Sequence, residues 1–181
     1  VVVDGQTRDE LFQLADVRSL ETALRIAGDC RLVVVVPIGS FLGRGVDGHR
    51  DNEVRAVLAP VARLAERYGP AVVVVAHRRK SMAGSADDMA LGSRAFTGIA
   101  RTVWHLSRDA ENKGRRLLLP GKNNLAPEGT GLAFSIVGDP DGRAVLAWEA
   151  GPVAMTADDG LAAENRAGRE TPGPEPDTRN A

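Results

Sequence analysis

The sequence predicts an α/β fold, a mostly parallel sheet with flanking helices that is extended toward the C-terminus by antiparallel strands. Three observations carry this expectation. Two runs of four valines, Val33 to Val36 and Val72 to Val75, are short, β-branched and continuous, the pattern of central strands in a parallel sheet buried on both faces. Between them Val54, Val57, Leu58, Val61, Leu64, Ala65 and Tyr68 recur at three-and-four spacing and make one apolar helical stripe. Strand, helix and strand in such close succession form a right-handed βαβ unit. Beyond residue 100, four strand candidates follow one another with no helical pattern between them, so late hairpins extend the α/β core into a mixed sheet.

Taken in order, Val1 to Val3 read as a strand remnant and Ser19 to Ala27 as a short helix, with Ser19 as its N-cap and Gly28 as its stop. The long helix is capped by Asp51 or Asn52, is bent by Pro60 and stops at Gly69-Pro70. A polar Gly/Ser-rich stretch, Ser81 to Asp88, precedes a short helix around Leu91 to Ala100. The four late strands are Thr102 to Leu106, Arg116 to Gly121, Leu132 to Val137 and Ala144 to Trp148, with turn-rich pieces such as GDPDGR between them. Residues 151–181 form an acidic tail, and from 155 onward it has too little apolar surface to offset the entropy of ordering, so most of it is expected to be disordered. The domain itself is placed at residues 1–150.

Composition narrows the function. Hydrophobic residues make up 43% and charged residues 26% of the 181, a globular balance that excludes a disordered chain, a collagen or a disulfide scaffold. The single cysteine, Cys30, forms no internal bridge, which makes a reducing cytoplasm the default compartment. The longest apolar runs fall far short of the roughly 20 residues of a membrane-spanning helix, so no membrane partner is expected. The tail holds three basic and six acidic residues, leaving 20 basic against 18 acidic before it, so the domain is about neutral rather than broadly basic. Residues 78–101 are the exception, with five basic against two acidic groups.

Ligands of open parallel sheets sit beyond the C-terminal ends of the strands. Two segments leave the sheet there. VVVVPIGSFLG runs into a loop carrying Gly39 and Ser40, and VVVVAHRRKS places His77 at a strand end with Arg78, Arg79 and Lys80 directly after it. His77 reads as a site residue because a strand end is chemically exposed, whereas His49 and His105 read as incidental. The Arg78 to Lys80 triplet fits a solvated turn as well as a binding loop. No His, Cys, Asp and Glu cluster has metal-ligand spacing, and no metal site is assigned.

Together with EVRAVLAPVARLAERYG, GSRAFTGIARTVWHLSRD and PGKNNLAPEGTGLAFSI, these segments resemble the latter half of a RecA-like P-loop ATPase. The similarity is to the hexameric helicase branch that holds RepA-type plasmid helicases and primase-linked ATPases. It covers well over half of the chain, and TADDGLA resembles the linker into a following helical segment. The resemblance implies ATP and Mg²⁺ as cofactors, a ring of identical subunits and single-stranded DNA as a partner. It implies a sensor-like role for His77 near the γ-phosphate, nucleotide proximity for Gly39 and Ser40, and a DNA-contacting loop from Arg78 to Arg94. Lys122 is placed as a residue reaching across a subunit interface to a neighbour's nucleotide.

Two departures bear on activity. No G-x-x-x-x-G-K-[ST] occurs, and Gly121-Lys122-Asn123 lacks both the upstream glycine and the Ser/Thr of that motif. The Asp expected before Pro37 is Val36. The expectation is therefore a partial ATPase domain that begins after its phosphate-cradling half and neither binds ATP tightly nor hydrolyses it alone. The competing expectation is a non-catalytic assembly or single-stranded DNA-binding module built on the same fold.

Overall fold

The computed structural model describes residues 2–3, 6–7, 12–43, 45–77, 86, 94–127 and 129–170. The chain divides into two compact units, one of Val1–Ser81 with Asp87–Ala100, the other of Met82–Ala86 with Arg101–Ala181.

The first unit opens with a two-stranded antiparallel ribbon, β1 (Val2–Val3) and β2 (Gln6–Thr7), followed by helix α1 (Val17–Ala27). The cap of α1 is Asp16, whose carboxylate accepts from the Ser19 amide and hydroxyl, so the cap lies three residues before the expected Ser19. Those hydrogen bonds hold the Asp16 carboxyl below the usual range. Strand β3 (Leu32–Val35), helix α2 (Asp51–Tyr68) and strand β4 (Ala71–Val74) build the expected βαβ unit, with β3 and β4 parallel and Leu32 to Val35 opposite Ala71 to Val74. Helix α2 keeps Pro60 inside it and closes on Gly69 in the left-handed conformation at φ 84°. Neither Asp51 nor Asn52 is the N-cap; both sit inside the first turn, and the cap position is Arg50. The short helix α3 (Arg94–Ile99) completes the unit.

Val54, Val57, Leu58, Val61 and Leu64 of α2 pack with Leu20 and Leu24 of α1 and with Val35, Ile38 and Phe96 in one core. This core lies under one face of the β3/β4 pair. The opposite face is bare, with Val34 54% and Val36 52% exposed, and among the described residues neither outer strand edge carries a further strand. Burial on both faces, expected from the valine runs, is thus corrected. The continuous valines come from a parallel pairing whose second face no described segment covers.

The second unit is a four-stranded antiparallel sheet, β5 (Thr102–Arg108), β6 (Arg115–Asn123), β7 (Leu132–Gly138) and β8 (Ala144–Trp148), in sequential order. It is a sheet separate from the parallel pair. Helix α4 (Ala157–Glu170) lies on one of its faces, with Ala157 and Leu161 buried. This corrects the expectation of disorder over 157–170. Thr156 and Asp159 cap the helix reciprocally, the Asp159 amide donating to Thr156 Oγ1 and the Thr156 amide and hydroxyl donating to the Asp159 carboxylate. Small residues then let the helix backbone approach the sheet closely. Residues 171–181 of the expected tail lie outside the described residues, as does most of the Gly/Ser-rich stretch.

Arg115 ties three strand ends of this unit together. Its Nη1 donates to Asp109 Oδ2 at 2.7 Å, while Nε and Nη2 donate to both Glu149 oxygens at 2.6 and 2.7 Å. Burial pushes the Asp109 carboxyl up, but hydrogen bonds from Arg115 and from the Glu111 and Asn112 amides outweigh it and leave the carboxyl below its ordinary range. Glu149 is lowered chiefly by its hydrogen bonds from Arg115. A carboxyl depressed in the folded state contributes stability that is present above its unfolded pKa, near 4, and is lost as pH falls through the folded pKa. We expect the melting temperature of the wild-type chain to fall steeply below about pH 4. Arg115→Met should flatten that acid limb; a limb of unchanged slope in calorimetric scans would refute the assignment.

Candidate functional site at the strand ends

The C-terminal ends of β3 and β4 are joined by backbone. The Val75 amide donates to the Val35 carbonyl and the Ile38 amide donates to the Val75 carbonyl, each at 2.9 Å, so the chain leaving β3 is held against the end of β4. Between them Val36 and Pro37 are linked by a cis peptide. Ile38–Ser40 then form one 3-10 turn, closed by bonds from the Ser40 amide to the Pro37 carbonyl and from the Phe41 amide to the Ile38 carbonyl. Ile38 is completely buried and anchors this turn, which leaves Gly39 and Ser40 exposed above it. His77 is exposed two residues past Val75. The structure therefore brings Gly39, Ser40 and His77 to one end of the parallel pair.

The segment that follows builds an ordered entry to α2. Gly43 and Gly45 take positive φ of 118° and 82°, which side-chain-bearing residues rarely adopt. The Asp47 amide donates to Glu53 Oε2 at 2.7 Å and the His49 amide to Asp47 Oδ1 at 2.9 Å. Arg50 lies 3.6 Å from Asp47 Oδ2 and 3.3 Å from Glu53 Oε1. Asp47 is thus engaged on both oxygens in shaping the helix start.

The remaining expected site residues belong to other segments of the chain. Arg94 is exposed at the first position of α3, and Arg78, Arg79 and Lys80 lie outside the described residues. Lys122 belongs to the second unit, near the end of β6 and half-buried. Sequence reasoning missed its neighbour Asn123, which organises the turn after the strand. Its Oδ1 accepts from the Leu125 amide at 3.0 Å, and the next amide, of Asn124, donates to the Arg101 carbonyl at 2.8 Å. The KNN string carried that signal, since asparagine favours such local turns. His105 is 5% exposed within β5, and Ser107 beside it is buried with no hydrogen-bond partner for its hydroxyl among the described residues.

The strand-end residues offer no free carboxylate for a magnesium ion. The position that closes β3 toward the turn is Val36, whose side chain offers no donor atom, and the nearest downstream carboxylate, Asp47, is already committed. Among the described residues no group of three or more His, Cys, Asp or Glu side chains is placed to hold a metal ion. The exposed hydroxyl of Ser40 and the imidazole of His77 suit polar or anionic groups.

Comparison with known proteins adds to this geometry. Residues 2–83 match the AAA domain family. That match takes in the βαβ unit and the strand-end turn but less than half of the chain. Among solved structures the chain is similar to a DnaB-like replicative helicase whose interactions with primase are described with it, at a TM-score of 0.55 and 15% identity. The similarity covers 72% of this chain and 34% of that one, so the chain spans about a third of the helicase's length. No curated protein matches the sequence. At 15% identity the likeness to the helicase shows the fold alone, an α/β arrangement of the RecA-like kind. No helix among the described residues is long and apolar enough to cross a membrane.

Proposed function

We propose that the chain is part of a replication-associated RecA-like ATPase, a DNA helicase or a primase-linked motor, with the ends of β3 and β4 facing the nucleotide. The observation that carries this reading is the Ile38 to Val75 backbone bond, which holds the turn bearing Gly39 and Ser40 against the strand end that His77 follows, where open parallel sheets receive ligands. His77 acts as the polar sensor of the γ-phosphate. The basic stretch from Arg78 through Arg94 follows a single-stranded DNA backbone. Lys122 reaches a neighbouring subunit's nucleotide within a cytoplasmic homo-oligomeric ring.

On this reading the 181-residue chain does not turn over ATP unaided, because it has neither a phosphate-cradling G-x-x-x-x-G-K-[ST] nor a carboxylate before Pro37. The purified chain is expected to show no magnesium-dependent phosphate release. Turnover that His77→Ala abolishes would overturn this claim. The second reading, a non-catalytic assembly or DNA-binding module, is favoured by Val36, since a catalytic strand end needs the carboxylate this position lacks.

Both readings that involve DNA predict weak binding to a labelled single strand, weakening as salt rises because each phosphate contact releases counterions. Arg78→Ala, Arg79→Ala and Lys80→Ala together should remove most of that binding. Equal affinity of the triple variant would remove the loop from the interface.

A further inference from the structure

The four-stranded sheet has two unlike faces. On one, Leu117, Leu119 and Ala133 are buried and helix α4 brings Ala157, Gly160 and Leu161 close. On the other, strand alternation presents Trp104, Leu106, Ile136, Leu146 and Trp148, with the two tryptophans 46% and 51% exposed. Register joins them into rows, Leu106 opposite Leu118, Leu118 opposite Leu132 and Ile136 opposite Leu146.

One row breaks the pattern. Arg108 stands opposite Arg116, which stands opposite Phe134, which stands opposite Trp148. Like charges directly opposed across strands are unfavourable. Arg115 next door takes two carboxylates, yet among the described residues neither Arg108 nor Arg116 pairs with one; Arg116 donates only to the Lys113 and Arg115 carbonyls. The face therefore offers an apolar field bordered by two unneutralised guanidinium groups.

Its width and charge select the occupant. Four strands about 4.8 Å apart, with some five residues each at about 3.4 Å, span a footprint of roughly 300 Å². A second copy of this chain docked through the same face would set the guanidinium groups of one copy toward those of the other, so charge disfavours a dimer there. A helix about 10 Å wide fits it, and α4 shows on the opposite face what this sheet accepts. The aliphatic rows favour a peptide over nucleic acid, which needs a denser set of stacking rings and cations.

We propose that this face docks an amphipathic helix of a partner protein, its apolar stripe covering the leucine rows and its carboxylates pairing with Arg108 and Arg116. The inference is independent of the nucleotide reading. Both tryptophans of the chain lie on this face, so intrinsic fluorescence reports its occupancy. The whole chain is titrated with a synthetic helical peptide carrying leucines at i, i+3, i+4 and i+7 and glutamates beside that stripe. A saturable blue shift is expected, with about tenfold weaker binding when lysines replace the glutamates. The R108E/R116E chain should reverse that preference. If that variant does not fold, the two peptides against the wild-type chain still decide. The proposal falls if neither peptide shifts the emission, or if both bind equally. It falls equally if a single-stranded oligonucleotide shifts the emission and the peptide does not, or if the chain alone shifts on concentration, which would make a second copy the occupant.

Discussion

Leu119→Ala is expected to lower the unfolding free energy of the second unit by about 3–4 kcal/mol in denaturant titrations. Leu119 is fully buried, and glycines flank it on two sides. A methyl on Gly131 would come within 2.7 Å of Leu119 Cδ2, and one on Gly160 would overlap Leu119 Cδ1. The side chain thus occupies space that two glycines leave open, and its removal creates a cavity that neither backbone can fill. The same geometry makes Gly160→Ala costly in the wild-type chain, by about 1–3 kcal/mol, even though alanine is the better helix former. In the Leu119→Ala background the new methyl enters the vacated space, and the cost should vanish or reverse. The double variant must then be more stable than the two single losses summed. Additivity within about 0.5 kcal/mol would show that α4 does not rest on Leu119.

Ile38→Ala is expected to cost the first unit a similar amount, about 3–4 kcal/mol, against about 1 kcal/mol for Ile38→Val. Ile38 has no exposed surface and packs within the core that holds Val35, Leu42 and Val54. It is also the residue whose amide ties the strand-end turn to Val75, a bond that alanine keeps. The loss therefore reports side-chain packing beneath Gly39 and Ser40 rather than the backbone link. If alanine and valine cost the same, the turn is held by its backbone alone, and Ile38 does not position the candidate site.

Much of this structure is legible in the sequence, for reasons that can be named. The late strands are separated by turn residues, and β8 runs from Ala144 to Trp148 as expected. The stripe of α2 is long enough for its period to be unambiguous. The places where reading fails are those decided by partners distant in sequence. Asp109 and Glu149 flank Arg115 from opposite sides of the chain, and nothing local marks them as its partners. Helix α4 has few large apolar residues, so composition suggests disorder. Its burial depends on a close approach to Leu119 that a local window does not contain. At the candidate site, Gly39, Ser40 and His77 follow from their positions at strand ends, while the bond that brings the two ends together is visible only in three dimensions.

The two valine runs also carry a consequence for how the strands find one another. Val33 and Val34 stand opposite Val72 and Val73, and sliding one strand by two residues would still set valine against valine. The side chains of these strands hold almost no information about alignment. Alignment is written instead at the two ends, where the Ala71 amide meets the Arg31 carbonyl and the Ile38 amide meets the Val75 carbonyl, and in the fixed length of α2 between them. Isoleucine should accordingly replace valine readily at the exposed positions Val34 and Val73, whereas inserting or deleting one residue near Gly69 or Pro37 would scramble the pairing.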